Sequence, residues 1–386
     1  MKLKSIREVK NLRNKTVLIR VGFDVPIKNG KVIDDFRIKQ GLETIIYLIT
    51  QGAKVIVLNH VGRPKGKVVS GLSSKPVAQK LAKLGGFRVL QANGLVDQKT
   101  TDLARKLASK EVLMLENLRF DPREEADSPE FAKKLASLGD LYVNDAFSVS
   151  HRAQASVCSI TKYLPSYAGL LLEKEIENLS KVLESKVKPK IALIGGAKLE
   201  TKVKVIKNLL KKMDHVLAGG AIANNFIKAK GYEIGKSLFD AEYLKTARQL
   251  IGQKLIIPVD AVVAQKINIK SSAKIKPIDK ISSNDIILDI GPKTVEKYLF
   301  YLKKAKLIIW NGPLGYFEIS QFKKASASIA KSLSQQRSIR IIGGGETVEL
   351  IDHLGLSKKF TFISTGGGAM LEFLEGRMLP GIRPLI

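Results

Sequence analysis

Arginine, histidine and glycine recur along this sequence at positions where a folded chain could hold phosphate, and they do so in two separate stretches. In the first half the candidates are Asp24, Arg37, His60, Arg63, Arg119 and the pair His151-Arg152. A planar guanidinium donates two parallel hydrogen bonds to a carboxylate or phosphate, so several arginines together suit a small ligand carrying two or three negative charges. Any one of them alone reads as a surface charge paired with a neighbouring acid. Their recurrence just after successive apolar runs favours one shared anion site.

In the second half the recurring residue is glycine, in Gly195-Gly196, Gly219-Gly220, Gly312, Gly343-Gly344-Gly345 and Gly366-Gly367-Gly368. Glycine lets the backbone approach a phosphate closely, and a helix starting there directs free N–H groups and its positive dipole end at the anion. A single pair would mark only a tight turn, whereas repetition after strand after strand points to a nucleotide platform. Lys198 and Lys202 are four residues apart and are expected to share a face at a helix start, neutralising two phosphates, with Val203, Ile206, Leu210 and Met213 backing that helix. Glu346 follows the first glycine triplet. It suits Mg²⁺, a hard cation that takes carboxylate oxygens, and equally a helix cap. Neither GxxxxGK[ST] nor GxGxxG occurs, so the common NTPases and dehydrogenases lack their signatures here. No residue sits in a nucleophile elbow, and Cys158 lies off every strand-end motif. Direct in-line transfer, needing alignment and charge but no covalent intermediate, fits that inventory.

The elements that must position these groups follow from short Val- and Ile-rich runs separated by stretches of helical spacing. Runs at 16–21, 54–58, 111–115 and 141–143, then at 190–194, 215–218, 255–257, 286–289, 307–310, 339–342 and 360–364, read as parallel strands with crossover helices. Ser128-Pro129-Glu130 predicts an N-cap with proline at the first helical position. Leu172, Ile176, Leu179 and Leu183 give an amphipathic helix, and the charged, proline-bearing 186–190 stretch after it marks the domain boundary, with the helix as connector. In open parallel sheets ligands bind outside the strand C-termini, which is where the cations and glycines fall.

At 386 residues and 45% hydrophobic, the chain can fill two cores, and a lone cysteine gives no internal disulfide. The N-terminus lacks the apolar stretch of a signal peptide and no segment is long enough to span a bilayer, so a cytoplasmic protein is expected. The net charge of +29 is compatible with acidic substrates or with nucleic acid. The lysines are dispersed, and 266–280, where they are densest, has no aromatic residues for bases to stack on. That stretch reads as a solvated loop, and nucleic acid is not expected as a partner.

The ordered set RVGFDVP from Arg20, NHVGRPKG from Asn59, ENLRF from Glu116, NDAFSVSHRA from Asn144, GGAKLETK from Gly195, LDIGPKT from Leu288, WNGPLGYFE from Trp310, GGGET from Gly343 and STGGGAMLEFLEG from Ser364 resembles the phosphoglycerate kinase family along nearly the whole chain. The resemblance implies two Rossmann-like three-layer α/β/α domains with mostly parallel sheets. A phosphoglycerate-binding domain would span 1–169, with 371–386 packing back on it; 170–188 would be connecting helix and hinge, and 189–370 a nucleotide-binding domain. It implies reversible transfer between 1,3-bisphosphoglycerate with ADP and 3-phosphoglycerate with ATP, using Mg²⁺ and hinge-bending closure, in a monomer. Gly22, Phe23, Asp24, Arg37, His60, Arg63, Arg119 and Arg152 would hold the phosphoglycerate. Gly196, Ala197, Lys198, Lys202, Gly219, Gly220, Asn311, Gly312, Pro313, Gly344, Gly345, Glu346 and Thr347 would serve the nucleotide, with Glu318 on its ribose and Glu346 on the metal through the phosphates. Arg37 and Lys198 would flank the migrating group, with Gly366, Gly367 and Gly368 donating N–H groups to it.

Three departures qualify the match. The family's DFN turn is Gly22-Phe23-Asp24 here, so a carboxylate expected at the substrate hydroxyl is missing and an acid replaces an amide beside an anion. Either Asp24 compensates or phosphoglycerate binds more weakly. GGGDT is GGGET, one methylene longer at the metal, and Ile287 stands where many relatives carry glycine near the adenine. Another small-acid kinase on the same scaffold, and a basic nucleic-acid-binding protein, are the competing readings.

Overall fold

Strands covered by helices on both faces are buried on both faces, which is why they read as continuous apolar runs and not as alternating ones. In the structure, a computed structural model describing Met1–Ile386, such runs build two compact units: Met1–Glu177 with Met378–Ile386, and Asn178–Arg377.

The first unit contains β1 (Thr16–Val21), β2 (Ile27–Lys28), β3 (Lys31–Val32), β4 (Lys54–Leu58), β5 (Val89–Gln91), β6 (Val112–Met114), β7 (Leu141–Asp145) and β8 (Ser166–Ala168). Six of them form a sheet in the order β5-β6-β4-β1-β7-β8, every neighbouring pair parallel. Alternate residues of β1 feed opposite layers. Val17, Ile19 and Val21 join Ile38, Ile45 and Leu48 of the helix Phe36–Thr50, while Leu18 joins Phe131 and Leu135 of the helix Pro129–Ala136. That second helix is capped as its sequence predicts, Ser128 Oγ accepting from the Phe131 N–H at 3.4 Å.

Residues 378–386 lie in this unit. Asn144 Nδ2 donates to the Gly381 carbonyl at 2.9 Å, Gly381 N–H donates to the Ser150 carbonyl at 2.9 Å, and Lys4 N–H to Leu385 at 2.7 Å. The helix Gly368–Leu374 belongs instead to the second unit, where Asn208 Nδ2 donates to the Leu374 carbonyl at 2.7 Å. The returning segment therefore begins at Met378 and not at position 371. The other division, Glu177/Asn178, falls inside the helix Leu170–Glu184.

The second unit contains β9 (Lys190–Ile194), β10 (His215–Ala218), β11 (Leu255–Ile256), β12 (Asp260–Ala264), β13 (Lys274–Pro277), β14 (Ile286–Ile290), β15 (Leu307–Asn311), β16 (Ile339–Gly343) and β17 (Phe362–Ile363). A six-stranded parallel sheet has the order β11-β10-β9-β15-β16-β17. The strand at 286–290 is not part of it. β14 pairs antiparallel with β12 in a separate three-stranded sheet, β13-β12-β14, so its end does not lie on the parallel edge. Its register shifts between Val262 and Val263, which face Asp289 and Ile287 and leave Leu288 as the extra residue of a bulge. The lysine-rich stretch expected to be a loop supplies β13, in which Lys276 pairs with Asp285 at 2.6 Å.

In both parallel sheets the strand order reverses, between β1 and β7 in one and at the centre, between β9 and β15, in the other. The crevice outside the strand C-termini at such a reversal is where an open α/β sheet binds ligands.

Candidate active site

At the end of β1 the chain turns through Gly22-Phe23-Asp24 into contact with the turn after β4. Asp24 Oδ1 accepts the Gly62 N–H at 2.8 Å, and Oδ2 lies 3.5 Å from His60 Nε2. Arg37, in the first turn of the helix Phe36–Thr50, donates through Nη1 to the Asp24 carbonyl at 3.0 Å. Arg119, after β6, donates through Nη1 to the Gly62 carbonyl at 2.8 Å and pairs with Glu125 at 3.4 Å. Asp24, Arg37, His60 and Arg119 are thus bonded into one group, and Arg152 lies close enough to Arg119 to oppose its charge. Arg63 is exposed beside Gly62. The Phe23 ring is buried against Gly41, with only its backbone near the turn, and its N–H is taken by Asn59 Oδ1 at 3.0 Å. At Gly22 an added Cβ would stand 2.6 Å from Ser148 Oγ, so this chain has filled with a serine hydroxyl the space a larger residue would need.

Sequence reasoning missed the support beneath this group. Arg20 is fully buried on β1 and donates from Nε to Ser156 Oγ at 2.9 Å. Its Nη2 lies 3.0 Å from His60 Nδ1. Arginine only donates, so Nδ1 must accept and the His60 proton must sit on Nε2, aimed at Asp24. Burial, with Arg20 and Arg119 nearby, pushes His60 down to about 3, so the ring is a neutral donor. Burial would raise Asp24, but the hydrogen bond from His60, the Gly62 N–H and the charge of Arg37 together hold it well below the usual carboxylate range. Glu124 accepts from the Ser156 N–H at 3.0 Å and hydroxyl at 2.5 Å, completing a buried Arg20-Ser156-Glu124 network. A single cation inside the otherwise apolar run TVLIRV was the available signal.

In the second unit the turns after β9, β10 and β15 close on one another. Gly196 N–H donates to the Pro313 carbonyl at 2.9 Å, and Gly219 N–H to Ile194 at 2.8 Å. A Cβ on Gly195 would lie 2.0 Å from the Pro313 oxygen, and one on Gly312, at φ +92, 2.3 Å from the Gly195 oxygen. Close backbone packing therefore accounts for these glycines independently of any ligand. Lys198 and Lys202 do not share a helix face: the helix starts only at Val203, Lys198 is exposed in the preceding turn, and Asp240 accepts the N–H groups of Leu199 and Glu200 there. Lys202 is buried beneath the loops, donating to the carbonyls of Gly195 at 2.6 Å and Asn311 at 3.4 Å. Burial pushes its amine down to about 8, with Glu346 opposing the shift.

A cavity of about 320 Å³ opens in this unit, lined among others by Gly196, Ala197, Gly220, Pro313, Glu318 and Glu346. Lys198, Lys202, Gly219, Asn311, Gly312, Gly344, Gly345 and Thr347 are not on its wall. Thr347 supports it instead, its hydroxyl accepting the Gly312 N–H at 2.9 Å. The bulge turns Ile286, Ile287 and Leu288 toward it, against Ala223 and Ile227 of the helix Gly220–Ala229. Gly367 adopts φ +50 ahead of the helix Gly368–Leu374, and Gly366 N–H is already held by Ser364 Oγ at 3.0 Å.

No three His, Cys, Asp or Glu side chains gather into a cage for a metal. Glu346, in the first turn of the helix Gly345–His353, is raised by burial and by the like charges of Glu318 and Glu349, with Lys202 opposing. A half-buried carboxylate of that kind is a candidate oxygen ligand for a divalent cation. Burial pushes the Cys158 thiol up to about 11, which removes it as a nucleophile.

A family model described as Phosphoglycerate kinase matches residues 6–377. The chain is 48% identical over 382 residues to a phosphoglycerate kinase of Dictyoglomus turgidum, covering 97% of this chain and 96% of the relative. It is 43% identical over 392 residues to one of Pelotomaculum thermopropionicum, covering all of both. The phosphoglycerate kinase structure from Coxiella burnetii superposes with a TM-score of 0.88 at 39% identity, covering 100% of this chain and 99% of that one. That from Pyrococcus horikoshii gives 0.88 at 34%, covering 99% and 98%.

Proposed function

The chain belongs to the phosphoglycerate kinase family, and we propose that its two units divide the work of that reaction, one holding the phosphoglycerate and the other the nucleotide. The reaction is reversible transfer of a phosphoryl group between 1,3-bisphosphoglycerate and ADP, yielding 3-phosphoglycerate and ATP, with Mg²⁺. In the forward direction an ADP β-phosphate oxygen forms the new P–O bond while the acyl P–O bond breaks and the carboxylate leaves with the electron pair. No proton need move, so charge and alignment are the protein's task.

Arg37, His60, Arg63, Arg119 and Arg152 are assigned to the phosphoglycerate, with Gly22, Phe23 and Asp24 forming the turn beneath it. His60, neutral and held between Arg20 and Asp24, orients the Asp24 carboxylate that fixes the Gly62 turn; the acid at position 24 is thereby spent within the protein and not on the ligand. Gly196, Ala197, Gly220, Pro313 and Glu318 are assigned to direct contact with the nucleotide. Lys202, Gly219, Asn311, Gly312, Gly344, Gly345 and Thr347 hold those loops, and Lys202 adds positive charge beneath them. Mg²⁺, when bound with the nucleotide phosphates and Glu346, neutralises their charge. Arg37 and the exposed Lys198 are the candidates to contact the migrating group, with backbone N–H groups of Gly367 and Gly368. Transfer then requires hinge bending, the helix Leu170–Glu184 serving as connector. A cytoplasmic location fits a pathway of soluble phosphorylated metabolites, and no helix is long and apolar enough to cross a membrane.

The observation that carries the assignment is the bonded Asp24-His60-Gly62-Arg37-Arg119 group at the reversal of the first sheet. A coupled assay with 3-phosphoglycerate and ATP tests it. Lys198→Ala should lose on the order of a hundredfold in kcat, as when one preorganised donor is removed, and Arg37→Ala should act as the inactive control. Unchanged turnover in Lys198→Ala would take that lysine out of the reaction.

A further inference from the structure

The cations of the first unit suit the two charged ends of a phosphoglycerate, its phosphate and its carboxylate. Between those ends the molecule carries one neutral polar group, the hydroxyl on carbon 2. A side chain that reads that position should be polar, uncharged and free of other bonds. Most neutral groups around the site are already committed. His60 is held between Arg20 and Asp24, Asn59 takes the Phe23 N–H, Asn117 is tied to the Val61 and Leu72 carbonyls, and Ser150 Oγ donates to the Ala146 carbonyl at 3.0 Å.

Ser148 is not committed. It lies in the short turn Phe147–Val149 after β7, the strand that pairs with β1 across the reversal of the sheet, Val21 beside Asp145. The first residues past these two strands border the crevice, and Arg152 follows Ser148 by four positions. The Ser148 hydroxyl has no hydrogen-bond partner in the protein and is open to solvent. Gly22, the first residue past β1, makes room for it. A Cβ there would stand 2.6 Å from Ser148 Oγ but 3.8 Å from Ser148 Cβ, so a side chain at position 22 and this hydroxyl compete for one place. The backbone at Gly22 is not in the left-handed region that favours glycine, so the missing side chain serves the serine. The same turn continues into Asp24, bonded to Gly62 and Arg37, which sets the hydroxyl beside the bonded group.

We propose that Ser148 is a specificity-determining residue of this chain, its hydroxyl meeting the substituent on carbon 2 of the phosphoglycerate. A hydroxyl both donates and accepts, so it accepts from a 2-hydroxyl and, after turning its proton, donates to a 2-oxo oxygen. A carboxylate in that place would only accept, and would repel the 2-oxo group. This chain is therefore expected to hold a 2-oxo acid about as well as the 2-hydroxy acid. The inference rests on the phosphoglycerate reading of the first unit and adds to it the group that reads carbon 2.

The test is calorimetric binding of three ligands to the full chain, to Ser148→Ala and to Gly22→Ala. They are 3-phosphoglycerate, 3-phosphohydroxypyruvate with a 2-oxo group, and 3-phosphopropanoate with only hydrogen at carbon 2. The wild type should bind the first two within about threefold of each other and about five- to tenfold tighter than the third, as for one hydrogen bond between neutral groups. In Ser148→Ala the three should converge on the affinity of 3-phosphopropanoate, which itself moves less than twofold; a serine that only filled space would leave the ratios unchanged. Gly22→Ala, whose methyl displaces the hydroxyl without touching Ser148, should also abolish the ratios, and it decides the matter should Ser148→Ala not fold. Equal binding of all three to the wild type, a 2-oxo acid held no better than 3-phosphopropanoate, or ratios that survive in either variant would each overturn the proposal while leaving the unit a phosphoglycerate site. Failure of all three to bind would overturn the phosphoglycerate reading and this one with it.

Discussion

Lys202 reaches its two carbonyl partners only by leaving water, and its amine is pushed down to about 8 as a result. Phosphate beside it would restore the charge, so nucleotide binding above pH 8 must take up a proton. The expected outcome is a nucleotide affinity that is flat below pH 7.5 and falls by up to about tenfold per pH unit above 8. Calorimetry at pH 8.5 in two buffers of different ionisation heat should register the uptake, and Lys202→Arg should remove it; a pH-independent affinity would contradict the assignment. Of the side chains that matter at this scale, the sequence made legible those that end strands, such as His60 and Arg119, because their position outside a sheet edge follows from the strand itself. Arg20 and Ser156 were hidden for the opposite reason: their roles come from partners far along the chain, such as His60 and Glu124, and no local spacing encodes those meetings.

Strands β1, β4, β9 and β10 coincide to the residue with the apolar runs that predicted them, since burial on both faces leaves an uninterrupted signature. Direction leaves no such mark, and β14 looks like its parallel neighbours until its partner β12 is seen. The small β2–β3 hairpin did carry a local signal, Asn29-Gly30, both residues at positive φ as a tight hairpin turn requires, and it was overlooked because the strands are so short. Lys198 and Lys202 illustrate a different failure: four-residue spacing implies a shared face only within a helix, and Asp240 holds this stretch in turns. The closing of the β9 and β15 turns on each other yields a prediction of its own. Gly312→Ala adds a methyl 2.3 Å from the Gly195 oxygen at φ +92. Strain and overpacking should together cost about 2–5 kcal/mol, seen as a lower denaturation midpoint with nucleotide binding weakened in parallel. An unaltered midpoint would mean that the loops yield easily.

Among the buried carboxyls, Asp145 in the first unit and Asp289 in the second contribute to how the molecule responds to pH. Asp145 accepts the Leu171 and Leu172 N–H groups, Asp289 those of Ile290 and Ala325, and burial pushes each up to about 7 from an ordinary 3.8. A group whose folded value is raised holds its proton longer in the folded state, so stability is greatest below pH 4 for this contribution and declines as pH rises toward 7. Asp24 acts in the opposite sense, its contribution being lost at strongly acid pH. Thermal midpoints are therefore expected to fall between pH 5 and 7.5, by an amount equivalent to on the order of 1–3 kcal/mol per carboxyl, and Asp289→Asn should flatten part of the slope. A midpoint that rises steadily across that interval would rule the two carboxyls out as the controlling groups.

The first unit is made of two pieces, Met1–Glu177 and Met378–Ile386, with the whole of the second unit lying between them in the sequence. During synthesis the ribosome completes Asn178–Arg377 before it makes the residues whose backbone seals Asn144, Ser150 and Lys4. The second unit is thus positioned to mature on the ribosome while the first still waits for its closing strip, and the order in which the two are completed runs opposite to the order in which they begin to be translated.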